Sequence, residues 1–124
     1  MITSALSQEI AMLHAGICSA LADPRRILML YALHDKPSNV GDLAQALGVN
    51  QSTASRHLNI LRERGLALAQ REGQSVVYTL ADPRIIQVLD LLRAVLASRL
   101  KSQAALAESV PSSGEAPIEA GGAR

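Results

Sequence analysis

The stretch NVGDLAQALGVNQSTASRHLNILRERGL, residues 39–66, contains two short amphipathic helical patterns separated by three residues. Asn39 is a candidate N-cap in front of the first, Leu- and Ala-rich pattern. Gly48 stands where such a helix ends in a left-handed conformation, and Asn50 can cap a second helix that runs to about Arg64. Two short helices joined across a Gly-Val-Asn turn predict a helix-turn-helix.

The second helical pattern has two very different faces. Projected at about 100° per residue, its apolar residues Ala54, Leu58 and Leu61 form one stripe. The opposite face carries hydroxyls, an amide, two arginines and one acid: Ser52, Ser55, Arg56, Asn59, Arg62 and Glu63. Side chains of these types have the donors and acceptors that match base edges and phosphates. The pattern therefore predicts a helix that reads DNA in the major groove.

Beyond Gly65 the hydrophobic period changes, and a short apolar segment, a turn-like REGQ and the β-branched run SVVYTL follow. This order predicts a two-stranded β-hairpin over residues 66–80, which would be the wing of a winged helix-turn-helix. At the tip of the hairpin, Gly73 permits a tight turn and Arg71 can reach a phosphate or the minor groove, with Gln74 beside them.

Longer helical patterns flank this region on both sides. An Asp-Pro signal, which caps a helix and starts it with proline, occurs at Asp23 and again at Asp82. The first helix is expected from Ser4 to about Leu21, and the last over residues 83–107. Both are more apolar than a small winged core requires, so we expect them to pack in a two-fold homodimer. The side chains assigned to that interface are Leu6, Ile10, Leu13, Ile17, Leu89, Leu92 and Leu96.

The length and composition bound the class of protein. At 124 residues the chain fits one domain, expected over residues 1–107, followed by a disordered Pro-, Gly- and Ser-rich tail at 108–124. Hydrophobic residues make up 48% of the chain but aromatic residues only 2%, which favours a mainly α (α+β) fold over a β-sandwich. One cysteine cannot form an internal disulfide, and no apolar run reaches the about 18 residues of a membrane span. We therefore expect a cytoplasmic protein without a membrane partner.

The net charge of the chain is small, but its charged residues are unevenly distributed along the sequence. The net charge of +1 excludes a globally basic, histone-like binder. Residues 51–74, however, hold four arginines against two glutamates, a local net charge of +2 on the predicted reading segment. Common catalytic and phosphate-binding motifs are missing, and the histidines and the cysteine are scattered. The sequence therefore predicts a DNA-binding protein that is not an enzyme and needs no cofactor.

Three motifs in order carry a resemblance to a known family. LADPRRILMLYAL at 21–33 and the run from Val40 to Leu80, with its QSTASRHLNILRERGL core and REG…VYTL hairpin, resemble the ArsR family of bacterial winged-helix repressors over about half the chain. The resemblance implies a homodimer built on the first and last helices that represses by binding an operator, which two-fold symmetry makes an inverted repeat. Together with the projection, it assigns DNA contacts to Gln51, Ser52, Thr53, Ser55, Arg56, His57, Asn59, Arg62, Arg71, Gly73 and Gln74; Arg56 and Asn59 rank highest.

The chain departs from this family at its sensing sites. Many members bind metals through a Cys-containing motif before the recognition helix, where this chain has SNVGDL at 38–43, and others use Asp and His in the last helix, which here contains Asp90 and no His. No metal site is therefore predicted. Two alternatives stay open: a metal- or thiol-responsive regulator that senses through His14 and Cys18, four residues apart on one helix, and a dimeric winged-helix adaptor that no longer binds DNA.

Overall fold

Five α-helices and three β-strands follow one another in residues 1–109, the part of the chain that the computed structural model describes. In chain order they are α1 (Ser4–Leu13), α2 (Pro24–Asp35), β1 (Ser38–Asn39), α3 (Val40–Leu47), α4 (Gln51–Glu63), β2 (Ala67–Glu72), β3 (Ser75–Leu80) and α5 (Arg84–Ser109). Beyond Ser109, the tail expected at 108–124 lies outside the described residues. The mainly helical architecture with a small antiparallel sheet confirms the predicted fold class.

Side-chain caps start the helices, as the sequence predicts for four of them, α2 to α5. The acceptors Asp23, Asn39 and Asn50 each take a backbone N–H of the first turn at 2.8 Å. Thr3 caps α1 in the same way at 3.0 Å, a cap that the sequence analysis did not identify. Each such bond satisfies one of the N–H groups that a helix leaves without an internal partner.

The two Asp-Pro signals also carry an ion pair each. Hydrogen bonds from the side chain of Arg25 lower the pKa of the Asp23 carboxyl to about 2, and Arg84 does the same for Asp82. The second of these carboxylates accepts the Arg84 backbone N–H at 2.9 Å where α5 begins. Both caps therefore stay negatively charged at the positive end of a helix dipole throughout the physiological pH range.

Two glycines end the helices of the helix-turn-helix. Gly48 follows α3 with a φ of 71°, and Gly65 follows the last turn of α4 with a φ of 78°. Residues with a Cβ rarely adopt this left-handed conformation, so both positions favour glycine. Both helices therefore end where the glycines in the sequence predict.

The sheet has one strand more than predicted. The expected hairpin forms, but β3 also pairs with the two-residue strand β1, through Ser38 opposite Tyr78 and Asn39 opposite Val77, so the antiparallel order is β1-β3-β2. The predicted two-stranded wing is present as β2 and β3, and β1 adds a third strand to its sheet that the sequence did not predict. Two residues are too short to show a strand pattern, and their pairing depends on β3, far along the chain.

The core lies where α2, α3 and α4 meet. Its largest fully buried side chains are Met29 and Leu30 from α2, Leu43 from α3, and Leu58 and Leu61 from α4. Helix α4 contacts α2, α3 and β2, so its orientation is set from several sides. Aliphatic side chains fill this core, as the near absence of aromatic residues requires.

The chain divides into two compact units. Residues Met1–Gln87 form the first, which contains α1 to α4 and the sheet, and the second begins at Val88 within α5. In the first unit, one π-helical turn, His14–Cys18, follows α1 directly and precedes α2. Within residues 1–109, no helix combines the length and the hydropathy needed to cross a bilayer.

Candidate nucleic-acid interface

Helix α4 presents a polar face that the structure separates cleanly from the core. Ala54, Leu58 and Leu61 are fully buried, as the projection predicts. On the other side, five residues of the predicted contact set are exposed: Gln51, Ser52, Arg56, Asn59 and Arg62. Thr53 and Ser55 are half-buried at the edges of this face. We call these seven residues of α4 the reading face.

The cap of α4 organises the first turn of the reading face. The side-chain oxygen of Asn50 accepts the backbone N–H of Thr53 at 2.8 Å and the hydroxyl of Ser52 at 3.1 Å. The hydroxyl of Ser52 is thereby held beside the N-terminus of the helix. Short polar side chains at a helix N-terminus allow a phosphate to approach its partial positive charge.

The hairpin places its tip next to the start of α4. The turn consists of Gly73, with a φ of 62°, and Gln74, and Arg71 lies opposite Val76 just below it. All three predicted tip residues are exposed. A groove of about 420 Å³ runs between the starts of α3 and α4 and the hairpin, and both Gln51 and Gln74 line it. The structure thus brings the wing and the recognition helix to one surface.

His57 is not part of that surface. It is among the residues assigned to DNA contacts, but its side chain is only 3% exposed, and its Nδ1 lies 3.0 Å from Nη1 of Arg26. A guanidinium can only donate, so Nδ1 is the acceptor and the neutral ring carries its proton on Nε2. Nε2 has no hydrogen-bond partner among the described residues. The assignment of His57 to the DNA contacts is therefore wrong for this conformation.

The pKa of His57 follows from its surroundings. Burial lowers it below its ordinary value of 6.5, because the charged ring would lose its hydration. Asp23 opposes this shift, whereas the positive charges of Arg25, Arg26 and Arg56 add to it. The neutral form is the one that can accept the hydrogen bond of Arg26, so burial and hydrogen bonding favour the same protonation state.

The arginines of residues 51–74 divide into two groups. Arg56, Arg62 and Arg71 are exposed, and none of them forms an ion pair within residues 1–109. Arg64 is exposed as well, but its guanidinium donates hydrogen bonds to Gly16 and Ser19 after α1. The positive charge available to DNA therefore comes from three arginines of this segment, not from four as the charge count suggested.

The side chains proposed for sensing lie at the two ends of the π-helical turn. His14 and Cys18 are both exposed. Among residues 1–109 there is no group of three or more His, Cys, Asp or Glu side chains that could hold a metal ion. The structure therefore adds no further ligand to this pair.

The predicted interface residues mostly remain uncovered. In α1, Leu6, Ile10 and Leu13 are exposed and Ile17, in the following turn, is half-buried. In α5, Leu92 and Leu96 are exposed. Leu89 is only 3% exposed in the single chain, and its assignment to the interface stays a prediction. Helix α5 also exposes five large apolar side chains that the prediction omitted: Val88, Leu91, Val95, Leu100 and Leu106.

Comparisons with known proteins agree with this arrangement. A family model described as "Bacterial regulatory protein, arsR family" matches residues 23–67. The chain is 41% identical over 85 residues to the HTH-type transcriptional regulator NmtR of Mycobacterium tuberculosis, a match that covers 68% of this chain and 71% of that protein.

Two solved structures are similar over most of the chain. The crystal structure of Rv0081 of M. tuberculosis superposes with a TM-score of 0.69 at 33% identity, covering 77% of this chain and 96% of that one. The solution structure of Mb0332 from Mycobacterium bovis, described as a homodimeric winged helix-turn-helix DNA-binding domain, has a TM-score of 0.70 at 29% identity and covers 82% and 93%.

Proposed function

The chain belongs to the ArsR family of bacterial regulatory proteins and is a winged-helix DNA-binding transcriptional regulator, and from this premise we propose that it acts as a homodimeric repressor on an inverted-repeat operator. The observation that carries the proposal is the reading face of α4, where arginine, asparagine and hydroxyl side chains are exposed together. The only acid on that side of the helix is Glu63, whereas an adaptor surface that had lost DNA binding would be free to accumulate acids.

Sequence recognition is assigned first to Arg56 and Asn59. An exposed arginine can form two hydrogen bonds with guanine, and an asparagine can do the same with adenine. Ser52 and Ser55 are short enough to bind phosphates or base edges beside them. On the wing, Arg71 is placed to reach the minor groove or a phosphate. His57 is left out because it is buried.

A second copy of the chain is proposed to cover the exposed apolar side chains of α1 and α5. Monomeric proteins rarely leave many large aliphatic residues uncovered, and α5 alone exposes Leu91, Leu92, Val95 and Leu96. The similar domain of Mb0332 is homodimeric. A two-fold dimer places two α4 helices in successive major grooves, so the operator is expected to be an inverted repeat.

Repression follows from occupancy of the promoter. A dimer bound across two grooves excludes RNA polymerase from the same DNA. With a net charge of only +1, the chain has limited affinity for DNA of arbitrary sequence, which favours the operator over the rest of the chromosome. The relatives are transcriptional regulators, and we assign no catalytic activity; the place of action is the cytoplasm, where bacterial promoters lie.

Selection of bound sequences from a random duplex pool tests the proposal. We expect the full chain to enrich an inverted repeat whose half-sites lie about one helical turn or more apart. Fluorescence anisotropy should then show an affinity for the selected duplex roughly a thousandfold or more above that for random duplex, with both falling steeply as salt rises. Enrichment of no sequence, or equal affinity for both duplexes, would refute the proposal.

A further inference from the structure

Arg64 reaches from the end of α4 to a segment that lies 45 to 49 residues earlier in the chain. Its Nη1 donates to the backbone carbonyl of Ala15, to that of Gly16 at 3.3 Å, and to the hydroxyl of Ser19 at 2.6 Å. These acceptors lie on the π-helical turn after α1 and on the residue that follows it. One guanidinium thus joins the recognition helix to the helix that carries Leu6, Ile10 and Leu13.

The π-helical turn provides the acceptors for this contact. The backbone N–H of Ser19 bonds the carbonyls of His14 and Gly16. The carbonyl that this N–H would reach in an α-helix, that of Ala15, receives the Ser19 hydroxyl at 2.6 Å as well as Arg64. Carbonyls at the end of a helix carry partial negative charge, which makes them good partners for a cation. The local distortion and the arginine therefore form one arrangement.

A second arginine ties the same segment to the middle of α4. Arg26 donates from Nε to the carbonyl of Ala20 at 2.7 Å and from Nη2 to that of Ser19 at 3.3 Å, while its Nη1 bonds His57. Helix α4 is thus attached to the end of the first helical segment at two points, through Arg26 at its middle and through Arg64 at its end. Two separated attachments restrict rotation of one helix against the other more than a single one does.

We infer that Arg64 is a positioning residue for operator recognition: it holds α4 at a fixed orientation against the first helical segment and contacts no DNA itself. The inference rests on the proposed function, in which α1 contributes to the dimer and α4 reads a half-site. The rigidity of the α1–α4 connection then sets the distance and angle between the two reading faces. Arg64 acts on the spacing of half-sites, whereas Arg62, two residues earlier on the exposed side, acts on phosphates or bases.

This role predicts two independent readouts. A side chain that contacts a phosphate contributes about one unit to the slope of log affinity against log salt, and one that contacts only protein contributes none. A side chain that fixes the dimer geometry changes how strongly the protein discriminates between operators of different half-site spacing. Loss of a merely stabilising contact would weaken binding to all spacings alike.

The experiment compares Arg64→Gln with Arg62→Gln in the full chain, using the selected operator and versions with one base pair added to or removed from its centre. One base pair rotates a half-site by roughly 35°. We expect the added base pair to weaken binding about tenfold for the wild type and for Arg62→Gln, but only about threefold for Arg64→Gln. The salt slope should fall by about one unit for Arg62→Gln and remain unchanged for Arg64→Gln.

Ser19→Ala tests the contact from its other side. It removes the hydroxyl that Arg64 bonds and leaves the arginine charge in place, so it should also weaken the spacing preference without changing the salt slope. If circular dichroism shows that Arg64→Gln does not fold, Ser19→Ala and Arg64→Lys decide the question by the same two readouts. A lysine also offers one nitrogen with several donors but on a shorter side chain, so Arg64→Lys should retain the contact only in part and show a spacing preference between those of the wild type and Arg64→Gln.

The failures of the two proposals are distinguishable. A salt slope that falls in Arg64→Gln as it does in Arg62→Gln would overturn this inference, because Arg64 would then contact DNA. An unchanged spacing preference in the folded variants would overturn it as well. A wild-type protein that binds the operator without any spacing preference refutes only this inference, whereas one that fails to bind any selected duplex refutes the proposed function too.

Discussion

Helices α4 and α5 use their apolar residues in opposite ways. In α4, Leu58 and Leu61 are fully buried and the exposed side is polar. In α5, Leu91 is 68% exposed, and Val95 and Leu96 are uncovered as well. A buried leucine stabilises the chain that contains it, but an exposed leucine gains its burial energy only when something else covers it. Helix α4 therefore buries its apolar side chains within one chain, whereas the exposed apolar side chains of α5 are buried only when a partner covers them.

The largest expected effect tests whether the apolar side of α4 is buried in the core of a single chain. We expect Leu58→Ala to lower the free energy of unfolding by about 2–5 kcal/mol, because the methyl groups are lost and a cavity remains. Leu68→Ala, at an exposed site in β2, is the matched control and should change it by less than about 0.5 kcal/mol. Chemical denaturation at one fixed protein concentration measures both. Equal losses in the two variants would contradict the assignment of Leu58 to the core.

The next effect tests whether α5 is covered by a second copy. Leu96→Glu places a charge on its exposed apolar side, and we expect the dimer dissociation constant to rise about 100-fold, or roughly 2.7 kcal/mol. Sedimentation should then show the 13.1 kDa monomer at concentrations where the wild type is a dimer. Gln87→Glu, on the opposite side of α5, is the control and should leave the dimer intact. A dimeric Leu96→Glu would remove this side of α5 from the interface.

A smaller effect concerns the exposed side of α4. Arg56→Ala should weaken operator binding by about 1–3 kcal/mol and reduce the discrimination against single-base changes in the half-site. Fluorescence anisotropy on the selected operator and its point variants measures both quantities. Glu63→Gln, on the same face, should leave the discrimination intact. An unchanged operator affinity in Arg56→Ala would show that recognition lies elsewhere on the surface.

The smallest effect concerns His57, the titratable group on the buried side of α4. Since burial holds its pKa below 6.5 in the folded chain, its contribution to stability is complete above that pH and is lost as the pH falls toward the folded-state pKa. The slope is limited to about 1.4 kcal/mol per pH unit for one proton. The free energy of unfolding should therefore change less between pH 7.5 and 5.5 in His57→Gln than in the wild type. Chemical denaturation at each pH measures both proteins, and equal slopes in the two would contradict this account.

Local signals explain what the sequence predicted correctly. The caps at Asp23, Asn39 and Asn50 act within three residues, and Gly48 and Gly65 act at a single position, so a short window contains the whole cause. The apolar stripe of α4 follows from its helical period in the same way. These features determine the order of the elements and the side of α4 that remains exposed.

The features that the sequence did not reveal depend on distant partners. The strand at Ser38–Asn39 exists because β3 lies beside it, and the burial of His57 depends on Arg26. A projection at a fixed angle leaves a residue on the flank of a helix ambiguous, and only the neighbouring elements decide its side. Arg64 showed no signal at all, because an arginine that bonds backbone carbonyls looks the same in the sequence as one that bonds phosphate.

The π-helical turn at His14–Cys18 gives the molecule an evolutionary degree of freedom. Such a turn holds one residue more than an α-helical turn, and a Cβ at Gly16 would meet no atom within 4 Å. Deletion of a single codon there would restore a regular helix and leave the preceding segment at nearly the same rotation about its axis, because five π-helical residues turn the chain about as far as four α-helical ones. A lineage can therefore gain or lose this residue while Leu6, Ile10 and Leu13 keep facing the same way, and without mutating any residue that reads DNA.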